Sequence, residues 1–339
     1  MKTLGLTLLI TLLFANPAVR AQTPQDQARF LAGLQVGDDK LAPLTYAKWW
    51  QDYSVGMGSA WARMDRRQLL GLRGWAEAKI PDLHHSSAPV FYFFSGPDFL
   101  YAHSFFPNAR TYVLCGIEPV GAVPDITALP PESLPGELGS LRASLNTLLK
   151  THYFITKDMR TDLARARLGG TLPLLYVFLA RTGCTIRSVK LLPDGVQIDF
   201  RGGLGANQTL YYFKTDLSNG AGNQAFLKFC RGQAPALSLL KSASYLMHGN
   251  SFSTARDFLL QNSRVILQDD TGIPFRFFDP KNWQVRLFGA YFRHGDTFGK
   301  YDQPDLEAAF KSSAPQPLGF SFGYHWQKER GLIIVARPK

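Results

Sequence analysis

The sequence predicts an α/β protein with a partly parallel sheet, and three observations carry that expectation. Residues 89–94, PVFYFF, are a short apolar run of the kind that fills a strand buried on both faces. Residues 111–117, TYVLCGI, repeat that character. The helix-like stretch between the two runs completes a Rossmann-like βαβ unit over about 89–118, which joins parallel strands. Residues 185–214 then read as an antiparallel β-meander turned at Pro193-Asp194-Gly195, a hairpin signal between alternating runs.

The elements follow in chain order. Residues 1–21, MKTLGLTLLITLLFANPAVRA, carry Lys2, an apolar run from Leu4 to Phe14, and small residues at Val19 and Ala21. That pattern predicts a signal peptide cleaved before Gln22, and the run is short for a bilayer span. The expected location is therefore periplasmic or secreted, with no transmembrane segment in the mature chain. Residues 22–42 are polar and weakly patterned and predict a loosely ordered arm. The remainder, 43–339, reads as a single α/β domain, with one candidate internal boundary in the proline-rich stretch near 124–135.

From Pro43 to Lys79 the pattern is helical, with Trp49, Trp50, Trp61 and Trp75 as apolar anchors and Gly56 and Gly58 predicted to split it in two. Ser95-Gly96-Pro97-Asp98 is expected to start a helix that stops at Pro107-Asn108, with proline in its first turn and an acid at its positive end. Further helices are predicted over 137–150, 158–167, 171–181, 225–230 and 253–261, and strands over 264–268, 284–292 and 332–336.

Apolar residues make up 45% of the chain and charged residues 19%, a balance that supports a sizeable core. The formal net charge of +11 includes Lys2 and Arg20, so about +9 is expected for the mature chain, a surface that favours anionic partners such as envelope polymers, lipids or nucleic acid. Its densest patches, Arg63, Arg66, Arg67 and Arg73, then Arg160, Arg165 and Arg167, fall in helix-like stretches and equally suit solvated helix faces. No basic run is interleaved with aromatic residues on a strand, so nucleic acid is not an expected partner. Cys115, Cys184 and Cys230 lie far apart in apolar contexts and read as core thiols, with at most one bridge among them. There is no CxxC, HxH or HExxH, so zinc is not expected.

In open α/β sheets ligands gather beyond the carboxyl ends of the strands, which selects Ser95 to Asp98, Glu118, and Gln268 to Thr271. The spacing from Gly96 to Glu118 invites a dinucleotide reading, because an acid after the second strand can take a ribose hydroxyl; methyltransferase-like folds place a similar acid there. The SGPD turn lacks the repeated glycines that such a site needs, and an ordinary βαβ turn explains it as well. Ser95, Asp269 or Asp270, and His294 or His325 reproduce the Ser, acid, His order of α/β-hydrolases. Phe93, however, stands where a nucleophile elbow wants a small residue, and Ser95 also suits a helix cap.

Asp269 and Asp270 are the most site-like pair. Adjacent carboxylates after Val-Ile-Leu need a metal, a basic partner or water, and a cluster with Glu118, Asp98 and Gln268 would suit Ca²⁺ or Mg²⁺. One of the two is alternatively a general base, and a solvated turn is the plain reading. Arg276, within Pro-Phe-Arg-Phe-Phe, is expected to pair with Asp269 or Asp270. His248, before a Gly-Asn turn, and Lys157, Asp158 and Arg160, after an apolar run, complete the candidates.

The runs FYFFSGPDFLYAHSFFPNARTYVLCGIEPVG and SYLMH, followed by ILQDDTGIPFRFF, resemble an uncharacterised family of exported bacterial proteins. The resemblance covers roughly residues 90–122 and 242–325 and implies a bacterial envelope setting, with no activity to transfer. The expectation is thus an enzyme on an envelope or extracellular substrate, hydrolase-like and carboxylate-based, with or without a divalent cation. Two alternatives stand beside it: a non-catalytic binder of an anionic envelope component, and a methyltransferase-like fold without nucleotide activity.

Overall fold

The computed structural model of the chain describes residues 23–151, 167–293, 299–324 and 331–339. Residue 23 is the first of these, so the predicted signal peptide, residues 1–21, lies outside them, as do Lys157, Asp158, Arg160, Arg165, His294, His325 and most of the helix predicted over 158–167.

The parallel strands are β1 (Val90–Tyr92), β2 (Thr111–Gly116), β5 (Asn207–Lys214), β6 (Ala236–Leu240) and β7 (Ser263–Gln268). With β3 (Thr185–Leu192), β4 (Gly195–Arg201), β8 (Trp283–Gly289) and β9 (Leu332–Pro338), they form one sheet in the order β3-β4-β5-β2-β1-β6-β7-β9-β8. Val90 is paired with Tyr112 on one side and Leu237 on the other, so β1 is the central strand from which the chain winds first one way and then the other. Among the parallel strands the order is third, second, first, fourth, fifth, the arrangement of a doubly wound dinucleotide-type sheet. The strands β4, β9 and β8 attach antiparallel to their inner neighbours.

Alternation explains why the central runs contain almost nothing polar. Val90, Tyr92, Tyr112 and Leu114 pack on one face, while Phe91, Phe93, Val113 and Cys115 pack on the other. A strand with helices on both faces needs apolar residues at every position. The first face is covered by α5 (Phe99–Phe105), α6 (Leu134–Thr151) and α7 (Leu172–Arg181), the second by α8 (Gln224–Gln233) and α9 (Ser253–Asn262). All three cysteines are buried and free. No helix among the described residues is long and apolar enough to cross a membrane.

Several expectations are corrected. The arm is ordered at its start: Thr23 caps α1 (Pro24–Leu31), and Ala28, Phe30 and Leu31 are fully buried. Its glutamines misled because they serve buried backbone rather than water. Gln25 accepts from Ile186 N at 2.7 Å and Gln27 from Ile126 N at 2.9 Å. The glycines do not split the next stretch. One helix, α2 (Lys48–Met64), runs on through a π-turn at Asp65–Leu69 into α3 (Leu70–Lys79), before a single turn, α4 (Pro81–His84). A Cβ on Gly56 would lie 2.6 Å from Arg142 Nη1, so the tip of the Arg142 side chain rests over that glycine.

The meander, by contrast, is antiparallel as expected from β3 to β4 to β5, and its last strand also pairs parallel with β2 from Thr111↔Thr209 onward, so β5 belongs to the doubly wound core while β3 and β4 extend the edge. Sequence reasoning missed β6 and the late helix α10 (Pro304–Ser313).

His103 on α5 lines a hollow with Trp61, Arg73 and Arg181, and its Nε2 lies 3.7 Å from Cys184 Sγ. Burial, helped by the charges of Arg73 and His84, pushes its pKa down from 6.5 to about 4. Between those values the unfolded chain holds the extra proton. The stability that neutral His103 contributes is therefore complete above pH 6.5 and lost as pH falls through about 4. His103→Gln is expected to flatten that acid limb by on the order of 1–2 kcal/mol, since the ring retains some contact with the hollow. Urea midpoints measured inside and above the window would show it; an unchanged slope would place the acid sensitivity elsewhere.

Candidate functional site

The loops after β1, β2, β5 and β6 enclose a cavity of about 350 Å³ at the carboxyl end of the sheet, where the winding reverses. After β1 the chain turns through Phe94 (φ 61°) and Gly96 (φ 55°). After β6 it turns through Ser242 (φ 55°), Ser244 (φ 57°) and Tyr245 (φ 57°). Five non-glycine residues among those described are left-handed, and four of them are these loop residues. Each such conformation costs of order 1–3 kcal/mol, and this strain gathers around one cavity.

The cavity wall includes a buried ion pair. Asp98 caps α5, accepting from Tyr101 N at 3.3 Å on Oδ1. Its Oδ2 accepts from the Tyr92 hydroxyl at 2.9 Å and from Lys241 Nζ at 3.3 Å. The two charged side chains are 1% and 3% exposed, and Lys241 Nζ also stands 3.9 Å over the Tyr101 ring. Burial pushes the lysine below its usual range against the upward pull of Asp98 and Asp269. Burial and the Asp98 charge hold the Tyr92 hydroxyl far above its own range, so it stays a donor.

The wall also carries Ser95, whose hydroxyl donates to Gly96 O at 2.8 Å, and Glu118, 1% exposed, whose Oε2 accepts from the Tyr212 hydroxyl at 3.3 Å. Gly116 permits that placement, since a Cβ there would stand 2.3 Å from Glu118 Oε2. Ser95 is not the helix cap, because α5 begins later, at Phe99, and Pro97 lies outside it. The elbow-like strain sits on Phe94 rather than on Ser95.

Asp269 lies one layer behind. Its Oδ2 accepts from Ser242 N at 2.8 Å and its Oδ1 from Thr271 N at 2.9 Å, so it anchors the strained loop that carries Lys241. Burial and the neighbouring Asp270 charge raise its pKa to about 6. Asp270 accepts from the Tyr245 hydroxyl at 3.2 Å, and its carbonyl accepts from Gln303 Nε2 at 3.0 Å.

Asp269 is turned to its own backbone rather than to a cation. Donor protons on Asp269 point to where an ion would sit, and the described residues hold no group of three or more His, Cys, Asp or Glu able to share one. Gln268 is no ligand either: its amide clamps its own turn, Nε2 to Ile273 O and Oε1 from Ile273 N. Arg276 donates to His248 O at 3.1 Å rather than to Asp269 or Asp270, and His248 and Arg276 line a separate hollow beside Tyr301.

Of the predicted residues, then, Ser95, Asp98 and Glu118 share the cavity, while Asp269 supports it from behind. Asp270, Gln268, His248 and Arg276 do not line it. Sequence reasoning missed Lys241, Tyr92, Ser242 and Tyr324, whose hydroxyl donates to Ser242 O at 2.9 Å. A signal for Lys241 existed: it ends the apolar run ALSLL and so stands at a strand's carboxyl end. Compared with protein-family models, curated proteins and solved structures, the chain matches none. Its class rests on its own geometry, a doubly wound α/β protein with a cavity at the switch point.

Proposed function

We propose that the protein is an enzyme acting on a small molecule held in the switch-point cavity, with Lys241 and Asp98 as its acid–base pair. One observation carries this reading: a fully buried lysine–carboxylate pair lines the cavity between two strained loops. A buried pair is a poor stabiliser, since desolvation offsets much of its attraction and apolar side chains of similar size often do better. Perturbed ionisable groups in a cleft are what acid–base chemistry needs. Lys241, loosened toward its neutral form by burial, is suited to take or give a proton, and Asp98 with Tyr92 sets its charge and position.

The reaction remains carboxylate-based, as the sequence suggested, but its carboxylate is Asp98, and Asp269 is a positioning residue. The leader-like residues 1–21 favour an exported setting, so substrates are sought among small envelope and extracellular molecules. Incubation with pooled small molecules of those kinds, followed by mass spectrometry, tests the reading. The protein should deplete at least one compound, and Lys241→Met should abolish depletion while the ligand still raises the melting temperature. Binding without depletion by the unmodified protein would leave a non-catalytic binding protein instead.

A further inference from the structure

We infer that the hollow between α2, α5 and the end of α7 is a second ligand site, which takes a small monocarboxylate with an apolar body. It shares no wall residue with the switch-point cavity and does not depend on the reading of that cavity. The hollow holds about 550 Å³, and Trp61, Asp65, Leu69, Arg73, His103 and Arg181 are in its wall. The decisive residue is Arg181, the last of α7. Its Nε and Nη2 are buried and have no hydrogen-bond acceptor among the described residues. A desolvated cation without a counterion is costly, and a buried donor left unpaired calls for an explanation. Burial pulls the Arg181 pKa down, yet a guanidinium stays protonated at any physiological pH. A carboxylate would supply the missing acceptor and countercharge, in the planar geometry that a guanidinium matches.

The rest of the wall narrows the ligand's charge and shape. Asp65 is already taken by Arg73 at 2.8 Å, and burial keeps His103 neutral down to about pH 4. Arg181 is thus the one unbalanced charge among the described residues of the wall. It suits a single negative charge better than the near-double charge of a phosphate ester. Trp61, whose ring centre lies 5.9 Å from Arg181 Cζ, supplies the apolar side together with Leu69 and Leu100. An independent feature marks the same place. The π-turn at Asp65–Leu69 puts its first and last residues in the wall, and such interruptions of a helix recur at functional sites.

Matched pairs of acid and amide test this: benzoate with benzamide, hexanoate with hexanamide, and indole-3-acetate with indole-3-acetamide, with phenyl phosphate as the dianion. Binding to the protein is read by ligand-observed NMR and calorimetry at constant ionic strength. In at least one pair the acid should bind at least about tenfold more tightly than its amide, and Arg181→Gln should weaken that acid by about tenfold or more. Phenyl phosphate should not exceed the best acid. Gly58→Phe should abolish the binding independently. Gly58 lines the hollow from α2 and nothing stands within 4 Å of its added Cβ, so the helix accepts the change while the ring fills the space. Circular dichroism confirms the fold of each variant, and each locates the binding without the other. Acids that bind no better than their amides, or that keep their affinity in a folded variant, overturn the inference. So does tighter binding of phenyl phosphate, and so does the failure of every acid to bind.

Discussion

Replacing Asp98 with alanine is expected to lower the unfolding free energy by about 3–5 kcal/mol, the usual cost of stranding one partner of a buried ion pair. The loss has three parts. Lys241, 1% exposed, loses its counterion, the Tyr92 hydroxyl loses its acceptor, and α5 loses its cap. Lys241→Met should cost clearly less, because Asp98 retains Tyr92 and Tyr101 N as donors and methionine fills the space over the Tyr101 ring. The double variant should recover part of what Asp98→Ala loses, since no buried amine is then left without its partner. Urea unfolding of the four proteins as a thermodynamic cycle measures this. Strict additivity would mean that the pair is uncoupled, and the acid–base reading would lose its basis.

The second large effect belongs to a backbone crossing behind Glu118. Gly121 (φ 83°) and Gly170 (φ 91°) meet there, held by Thr171 N to Pro119 O at 2.9 Å and Leu172 N to Val120 O at 3.0 Å. A Cβ on Gly121 would stand 2.1 Å from Gly169 O, and one on Gly170 would stand 2.5 Å from Gly121 Cα. Both obstacles are backbone and cannot rotate aside, and the positive φ adds strain of its own. Gly121→Ala is expected to cost about 3 kcal/mol or more. Gly139→Ala is the control. It lies within α6 with nothing inside 4 Å of its added Cβ, so it should be neutral or stabilising by up to about 1 kcal/mol. If Gly121→Ala matches the control, the crossing is not as tight as described. Because this crossing anchors the chain just beyond Glu118, the variant should also weaken any ligand that the cavity holds.

Much of the fold is legible in the residues. PVFYFF and TYVLCGI gave both central strands within a residue or two, and their lack of alternation announced burial on both faces. The meander strands, α6 and α7, α9, and the last strands were similarly plain. Where reading failed, the side chains served a neighbour distant in sequence. Gln25 and Gln27 look solvent-directed until Ile186 and Ile126 are seen to donate to them. Gly56 looks like a helix breaker until Arg142 is seen to occupy its missing Cβ. The β6 run, interrupted by the polar Ser238, is resolved by a buried contact with Ser263 on β7 at 2.7 Å.

The candidate site divides in the same way. The rule that ligands lie beyond strand ends found Ser95, Asp98 and Glu118 without any structure. It also pointed to Asp269 and Asp270, but whether a carboxylate faces a cavity or its own backbone depends on the direction of one side chain. Sequence fixes that direction only through packing. By itself, then, the chain determined its two-faced parallel core and the strand ends that line the cavity, because hydrophobic periodicity and turn residues are local properties. Only the tertiary structure decided that Lys241 meets Asp98 across 143 positions of chain and that Asp269 supports the site from behind, because desolvation and charge pairing act between groups that folding alone brings together.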